Sequence, residues 1–316
     1  MSIHLSNQKK YRVCRFTLGI VAVVILVAGL YQALLAAETK QKSFKSPEEA
    51  VRALVEAVKK GDTKGLMAIF GPGSKDLIFS GDKVADKAGR GRFTAAYEEK
   101  HRLVNEGDNK AILVVGQNDW PMPIPLVKQG EAWLFNTQEG KDEILNRRIG
   151  KNELNTIEVC LAYVDAQREY AMKDCDGNRL RNYAQRFAST PGKKDGLYWE
   201  AKEGEGQSPM GPLMAKAAKE GYTRFTLSPY HGYYYKILKA QGDAAPGGAY
   251  SYVAHANMMG GFALVAYPAE YGNSGVMTFV VNQDGRVYQK DLGKETKKVA
   301  EAMTLYDPDE TWQQVK

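Results

Sequence analysis

Histidine and cysteine, the residues that most often build metal centres and reactive nucleophiles, are scarce in this chain. Four histidines and three cysteines occur among its 316 residues. The sequence has no His-Glu-x-x-His motif for zinc, no Gly-x-Ser-x-Gly nucleophile elbow and no phosphate-binding P-loop. From these absences we expect no catalytic residues, no metal and no cofactor, and we predict that the protein is not an enzyme.

Acidic residues are missing from the first 37 positions, where four basic residues occur: Lys9, Lys10, Arg12 and Arg15. This segment carries most of the formal net charge of +6, and the rest of the chain is nearly balanced. No block of Lys and Arg in the remainder is interleaved with aromatic residues. The footprint of a nucleic-acid-binding protein is therefore lacking, and we expect no nucleic-acid partner.

An uncharged apolar run of 22 residues, Phe16 to Ala37, follows the basic segment. At about 1.5 Å per residue a helix of this length crosses a hydrocarbon core of about 30 Å. The basic flank keeps the N-terminus cytoplasmic, although a signal peptide shows the same pattern. We therefore predict that residues 1–37 are a membrane anchor or signal segment. The protein is then either a single-pass inner-membrane protein with its C-terminal bulk in the periplasm, or is secreted to the periplasm after signal cleavage. The inner membrane, and other envelope proteins with it, are the expected partners.

Two cysteines, Cys160 and Cys175, follow the apolar run and would lie in an oxidising compartment, where disulfides are permitted. We predict a disulfide between them, with two free thiols as the alternative. On one straight helix their 15-residue separation would span about 22 Å, whereas a disulfide needs Cα atoms within about 7 Å. The prediction therefore requires the helix to end and the chain to fold back before Cys175.

Helical signals dominate the beginning of the chain after the apolar run, and strand signals dominate its end. Ser46 and Glu49 form a capping box at a helix start, and Glu131–Thr137 reads as a strand after a turn. Farther on, Leu154, Ile157, Leu161 and Val164 predict an apolar stripe along a long helix over residues 142–173. Strand-like segments follow to residue 290, the last two joined by a hairpin turn at residues 282–285.

This order predicts an α+β protein: an N-terminal membrane helix, a small helix-plus-antiparallel-sheet domain, and then a long helix packed on a C-terminal antiparallel sheet. We place the domains at residues 38–140 and 141–316.

Four segments carry a resemblance to a known family: residues 118–127, 147–154, 228–234 and 266–272. Together they resemble the bacterial family of domain of unknown function DUF2950, over about residues 44–293. That family is described as uncharacterised exported proteins, so the resemblance implies no catalytic residues. The domain at 38–140 is similar to nuclear-transport-factor-like domains, and the domain at 141–316 is weakly similar to pilin and pseudopilin globular domains. Pilins, however, place the apolar segment directly before their long helix.

Three residues in the segment 228–234 are candidates for a site: His231, Tyr230 and Tyr234. Pro229 and Gly232 flank a turn that feeds a strand, so a structural imidazole and core tyrosines are the first interpretation. Strand alternation places Tyr234 on one face and its two tyrosine neighbours on the other. We expect a binding or structural role outside the cytoplasm. The alternatives are a pilin-like accessory factor of an envelope assembly and a hydrolase acting on an envelope substrate.

Overall fold

The computed structural model describes residues 40–177, 179–201, 204–223 and 228–315. The predicted anchor or signal segment, residues 1–37, lies outside these ranges. Within them, none of the helices combines the length and the apolar character that crossing a membrane requires. The chain from residue 40 onwards forms two parts, each with its own antiparallel sheet and apolar core.

The first part combines helices with a small sheet. Its elements are α1 (Pro47–Lys60), α2 (Thr63–Phe70), α3 (Lys75–Ile78), α4 (Lys83–Glu99), β1 (His101–Asn105), β2 (Lys110–Val115), β3 (Trp120–Pro121), β4 (Leu126–Gln129) and β5 (Ala132–Phe135). The sheet has the order β1-β2-β4-β5, and β3 pairs with the end of β2. All of these pairs are antiparallel.

Local sequence fixes both ends of α1. The Ser46 side chain accepts a hydrogen bond from the amide of Glu49 at 3.3 Å, and the Glu49 carboxylate accepts one from the amide of Lys45 at 2.9 Å. Gly61 ends the helix in the left-handed conformation at φ 64°, which glycine adopts without steric cost. The predicted helix start at Ser46 is thus confirmed.

The core of the first part lies between the sheet and the helices α1 and α2. Leu54, Leu66, Phe70, Leu113 and Phe135 are among its buried side chains. The helix α4 differs from α1 and α2, because none of its 17 residues is fully buried. It lies over the core as a partly exposed cover.

The long helix α5 (Thr137–Lys173) connects the two parts. Its first turn is anchored in the first part, where the Thr137 hydroxyl donates to the Phe70 carbonyl at 2.7 Å. Gly140 is buried against the backbone of Pro123 and Ile124, so a side chain there would collide with main-chain atoms. The last turns of α5 pack on the second sheet through Val159, Tyr163 and Tyr170.

The second part contains a short helix and a larger sheet. Its elements are α6 (Gly211–Lys219), β6 (Tyr233–Leu238), β7 (Ala240–Gln241), β8 (Tyr250–Ser251), β9 (Val253–Ala254), β10 (Asn257–Met258), β11 (Ala263–Pro268), β12 (Met277–Asn282), β13 (Val287–Asp291), a 3₁₀ turn (Gly293–Glu295), α7 (Thr296–Ala302) and β14 (Gln313–Gln314). The main sheet has the order β14-β13-β12-β11-β6.

Strand β11 is the centre of this sheet, and all six of its residues are buried. One face is covered by α5, and α7 packs against β11 as well. The hairpin between β12 and β13 turns at residues 282–285, where the Asn282 side chain accepts from the Asp284 amide at 3.1 Å. The α+β class, the antiparallel sheets and the long helix on the C-terminal sheet are therefore confirmed, whereas the domain limits stay a prediction.

The predicted disulfide is wrong for this structure, because Cys160 and Cys175 are both free. The helix does not end early enough: α5 continues to Lys173, so about 20 Å of helix follows Cys160 before the chain can turn. Burial raises the pKa of the Cys160 thiol to about 12, and it also raises the pKa of Cys175. Neither thiol is therefore an activated nucleophile.

Candidate functional site

A cavity of about 760 Å³ opens between the two parts of the protein. Its inner wall is apolar and belongs to the first part; the lining there includes Leu54, Val58, Leu66, Phe70, Ile78, Phe93, Met122, Ile124 and Ile144. The volume lies within the range of about 300–1,000 Å³ that is typical of small-molecule sites. The predominantly apolar wall is also typical of such sites.

The mouth of the cavity is polar and mostly cationic. Its basic side chains are Arg90 and Arg92 of α4 and Arg147, Arg148 and Lys151 of α5. Two acidic residues, Asp86 and Glu220, line the cavity with them. The cavity therefore has an apolar interior and a mouth in which positive charge exceeds negative charge.

Arg148 has a structural task at this mouth. Its guanidinium donates to the carbonyls of Asp76 and Leu77, at 2.6 and 2.9 Å, and to the side chain of Asn273. Asn273 in turn donates to the Phe79 carbonyl at 2.7 Å. Arg148 thus joins α5, the short helix α3 and the loop before β12, and burial lowers its pKa. Its donors are already engaged within the protein.

Asp82 is the buried carboxylate that ties α4 to the second part. One of its oxygens caps α4 by accepting from the amides of Val84 and Ala85, each at 3.0 Å. The other accepts from the Tyr222 hydroxyl at 2.8 Å and from the Gly232 amide at 3.0 Å. Burial and this hydrogen bond to a carboxylate raise the pKa of the Tyr222 phenol. Four donors therefore hold the Asp82 carboxylate at the N-terminus of α4, the helix that covers the cavity.

His231 lines the mouth of this cavity and a smaller one of about 300 Å³ beside it. Its Nε2 lies 3.3 Å from a carboxylate oxygen of Glu220, and its ring packs on Tyr230 at 4.1 Å between centroids. Burial lowers the pKa of His231, although the Glu220 charge acts in the opposite direction. The backbone at His231 has φ 51°, which is uncommon for a residue other than glycine.

Of the three sequence candidates, His231 and Tyr230 lie together in the structure and Tyr234 lies apart from them. Tyr230 is buried beside His231, whereas Tyr234 faces the opposite side of β6, where it contacts Tyr267 and Lys297. The Tyr235 hydroxyl points to Thr156 of α5 at 3.4 Å. The alternation predicted for this strand is thus observed, and of the three candidates only His231 lines the main cavity.

Sequence reasoning missed the cations of the mouth. Arg90 and Arg92 stand in the run Gly89-Arg90-Gly91-Arg92, within a helix. Glycine lowers helix stability by about 1 kcal/mol relative to alanine, so two glycines beside two arginines in a helix were a signal that could have been noticed. Lys151 gave no signal, because only the fold brings it near α4.

The fold and the cavity define an α+β protein with a cavity between two sheet-containing parts. The chain belongs to the family described as protein of unknown function (DUF2950), whose family model matches residues 41–315. No curated protein and no solved structure matches the chain. The similarities to nuclear-transport-factor-like domains and to pilins stay predictions.

Proposed function

We propose that this protein is an envelope binding protein, located outside the cytoplasm, that holds a small amphiphilic molecule in the cavity between its two parts. The observation that carries the proposal is the cavity of about 760 Å³ with its apolar interior and polar mouth. Burying apolar surface contributes about 25 cal/mol per Å². A ligand with an apolar body therefore gains free energy by leaving water for this cavity.

The helix α4 offers a matched pair of substitutions for the test. Gly89 lines the cavity, and the nearest atom to a Cβ there is 3.9 Å away, at the tip of Arg92. Gly91 lies two residues further on, outside the lining, with nothing within 4 Å of a Cβ. Gly89→Leu should narrow the cavity, whereas Gly91→Leu makes the same change in composition on the same helix without doing so.

The assay is photo-crosslinking of the full-length protein, held in nanodiscs of zwitterionic lipid, with a neutral alkyl diazirine. We expect labelled peptides to contain the apolar lining, such as Phe70 and Met122, and labelling to fall severalfold in Gly89→Leu but not in Gly91→Leu. Labelling that is spread over the surface, or that is equal in both variants, would contradict the proposal.

The location is tested separately with a reporter protein fused after residue 45. The one-sided basic flank and the uncharged run Phe16–Ala37 lead us to expect reporter activity only outside the cytoplasm. A mature N-terminus near Glu38 would indicate a cleaved signal, and an intact N-terminus would indicate an anchor. Reporter activity in the cytoplasm would refute this part of the proposal.

A second candidate function is hydrolysis, and one observation favours it. His231 and Glu220 form a close imidazole–carboxylate pair at the cavity mouth. Burial lowers the pKa of His231, so its imidazole stays neutral at a lower pH than usual. A general base must be neutral in this way to accept a proton. The test is hydrolysis of p-nitrophenyl esters by wild type and His231→Gln. A hydrolase is supported if the wild-type rate varies with pH as the titration of a single group and the rate is lost in His231→Gln. Equal rates for the two proteins would exclude His231 as the general base.

A further inference from the structure

We propose that the amphiphile is an anion with a single carboxylate or phosphate head, and that Arg90, Arg92 and Lys151 hold this head at the cavity mouth. This inference rests on the proposed function and deepens it by naming the class of ligand. The observation that carries it is that these three side chains have no hydrogen-bond or ion-pair partner within the described ranges of the chain. Each lines the cavity, and each still has its donors available.

Other basic side chains in the first part and on α5 form ion pairs with carboxylates of the protein. Lys141 pairs with Asp76 at 3.2 Å, Lys59 pairs with Glu98 at 2.6 Å, and Arg147 pairs with Glu143. Arg147 also lies over the Trp120 ring, 5.9 Å from its centroid. Together with Arg148, these side chains are examples of cations that are engaged by partners within the protein.

Arg90, Arg92 and Lys151 differ from this pattern. Over the described ranges of the chain, none of the three takes part in an ion pair or in a side-chain hydrogen bond. Arg90 is only partly exposed, whereas Arg92 and Lys151 are exposed. Three positive charges thus line one concave site without an ion pair to a protein carboxylate, and a cleft that carries one sign of charge attracts a ligand of the opposite sign.

The two acidic residues of the lining are outnumbered by its five basic residues, and neither of the two carboxylates forms an ion pair with Arg90, Arg92 or Lys151. Asp86 is turned towards the backbone, where both of its oxygens accept from the Ser80 amide at 3.2 Å. Glu220 is occupied by His231. The mouth therefore keeps an excess of positive charge beside an apolar interior, and an anionic head on an apolar body is the ligand chemistry that complements both.

The experiment measures competition with the neutral diazirine on the full-length protein in zwitterionic nanodiscs. The competitors are dodecanoate, dodecyl phosphate and dodecanol, and empty nanodiscs serve to correct their free concentrations. We expect both anions to displace the probe at a concentration at least about tenfold lower than dodecanol, because one charge-assisted contact of average strength corresponds to about that factor. The anion that binds more tightly identifies the head group.

Substitutions assign the effect to the named side chains. Arg90→Gln, Arg92→Gln and Lys151→Gln should each weaken the anions severalfold and leave dodecanol unchanged. Lys87→Gln is the matched control, because Lys87 lies on α4 as well but outside the cavity lining; it should leave all three competitors unchanged.

The possible failures are distinct. Equal competition by dodecanol and the anions would overturn the anionic class while the cavity still binds amphiphiles. An anion preference that survives all three substitutions, or that falls equally in Lys87→Gln, would overturn the assignment of the head to these residues. If none of the three competitors displaces the probe and the probe does not label the lining, the proposed function itself fails.

Discussion

Gly140 allows α5 to pack against the backbone of residues 123–124, beside the cavity lining, and replacing Gly140 provides a direct test of this contact. A Cβ built at Gly140 would meet the carbonyl of Pro123 and would lie 2.7 Å from the amide nitrogen of Ile124. Ordinary close contacts between carbon and a backbone oxygen are about 3.3 Å or longer. Because both neighbours are main chain, no side-chain rotation can relieve the collision. Either α5 or residues 123–124 must move.

The expected loss of stability follows from two opposing effects. Overpacking of this kind lowers the free energy of unfolding by about 1–3 kcal/mol. We expect Gly140→Ala to lie near the upper end of this range, because its neighbours are backbone atoms that cannot rotate away. Alanine contributes about 1 kcal/mol of helix propensity relative to glycine. The net expectation is a destabilisation of about 2 kcal/mol. Gly150→Ala is the control, because Gly150 lies on the same helix with nothing within 4 Å of a Cβ, so this variant should gain about 0.5–1 kcal/mol.

The assay is urea denaturation of both variants, followed by circular dichroism and by tryptophan fluorescence. The two probes show whether the parts unfold together. Since Met122 and Ile124 line the cavity beside this contact, Gly140→Ala should also reduce labelling by the diazirine probe. A Gly140→Ala protein as stable as Gly150→Ala would mean that α5 does not approach residues 123–124, and the reasoning would be refuted.

Three further changes test the supports of the site. Tyr222→Phe removes one of the four donors to the buried Asp82 carboxylate and should lower the free energy of unfolding by about 1–3 kcal/mol in urea titration; an unchanged midpoint would contradict this. Gly91→Ala, with a helical backbone and open space around its Cβ, should raise that free energy by about 0.5–1 kcal/mol, and a loss would show that α4 is distorted there. Because burial lowers the pKa of His231 from its ordinary value of 6.5, the unfolded chain binds this proton more readily. Stability should therefore fall as the pH drops below about 6.5, by at most about 1.4 kcal/mol per pH unit. His231→Gln should flatten this part of the pH profile, and an identical profile would count against the buried imidazole.

Local chemistry made parts of the fold predictable. Ser46 and Glu49 satisfy the amides at the start of α1 within four residues of each other, and no distant contact is needed for that. The turn at residues 282–285 is similar, because Asn282 bonds the backbone two residues on and Gly285 takes φ 76°. The resemblance to DUF2950 was also readable from short strings of residues, and the family match confirms it.

The face that a long helix buries was not predictable in the same way. The expected stripe on α5 included Leu154 and Leu161, which are 67% and 43% exposed. The buried face instead carries Tyr163 and Tyr170, whose hydroxyls find acceptors in the Ala263 and Lys194 carbonyls. Tyrosine can join a core when its hydroxyl is paired. The other two residues of the expected stripe do face the core, since Val164 is buried and Ile157 packs against it. A sequence pattern that counts only aliphatic residues therefore identified only part of the buried face.

The helix caps, the turns, the α+β order and the family could be read from the amino-acid sequence, because each of these depends on residues that are neighbours along the chain. The cavity and its charge, in contrast, arise from the tertiary structure. Arg90 and Lys151 lie on different helices and line one mouth because Asp82 fixes α4 to the second part. Their lack of counter-ions depends on where the carboxylates Asp86 and Glu220 are already engaged. These contacts depend on which residues pack together in three dimensions, and neither the composition of the chain nor the spacing of its residues predicts them.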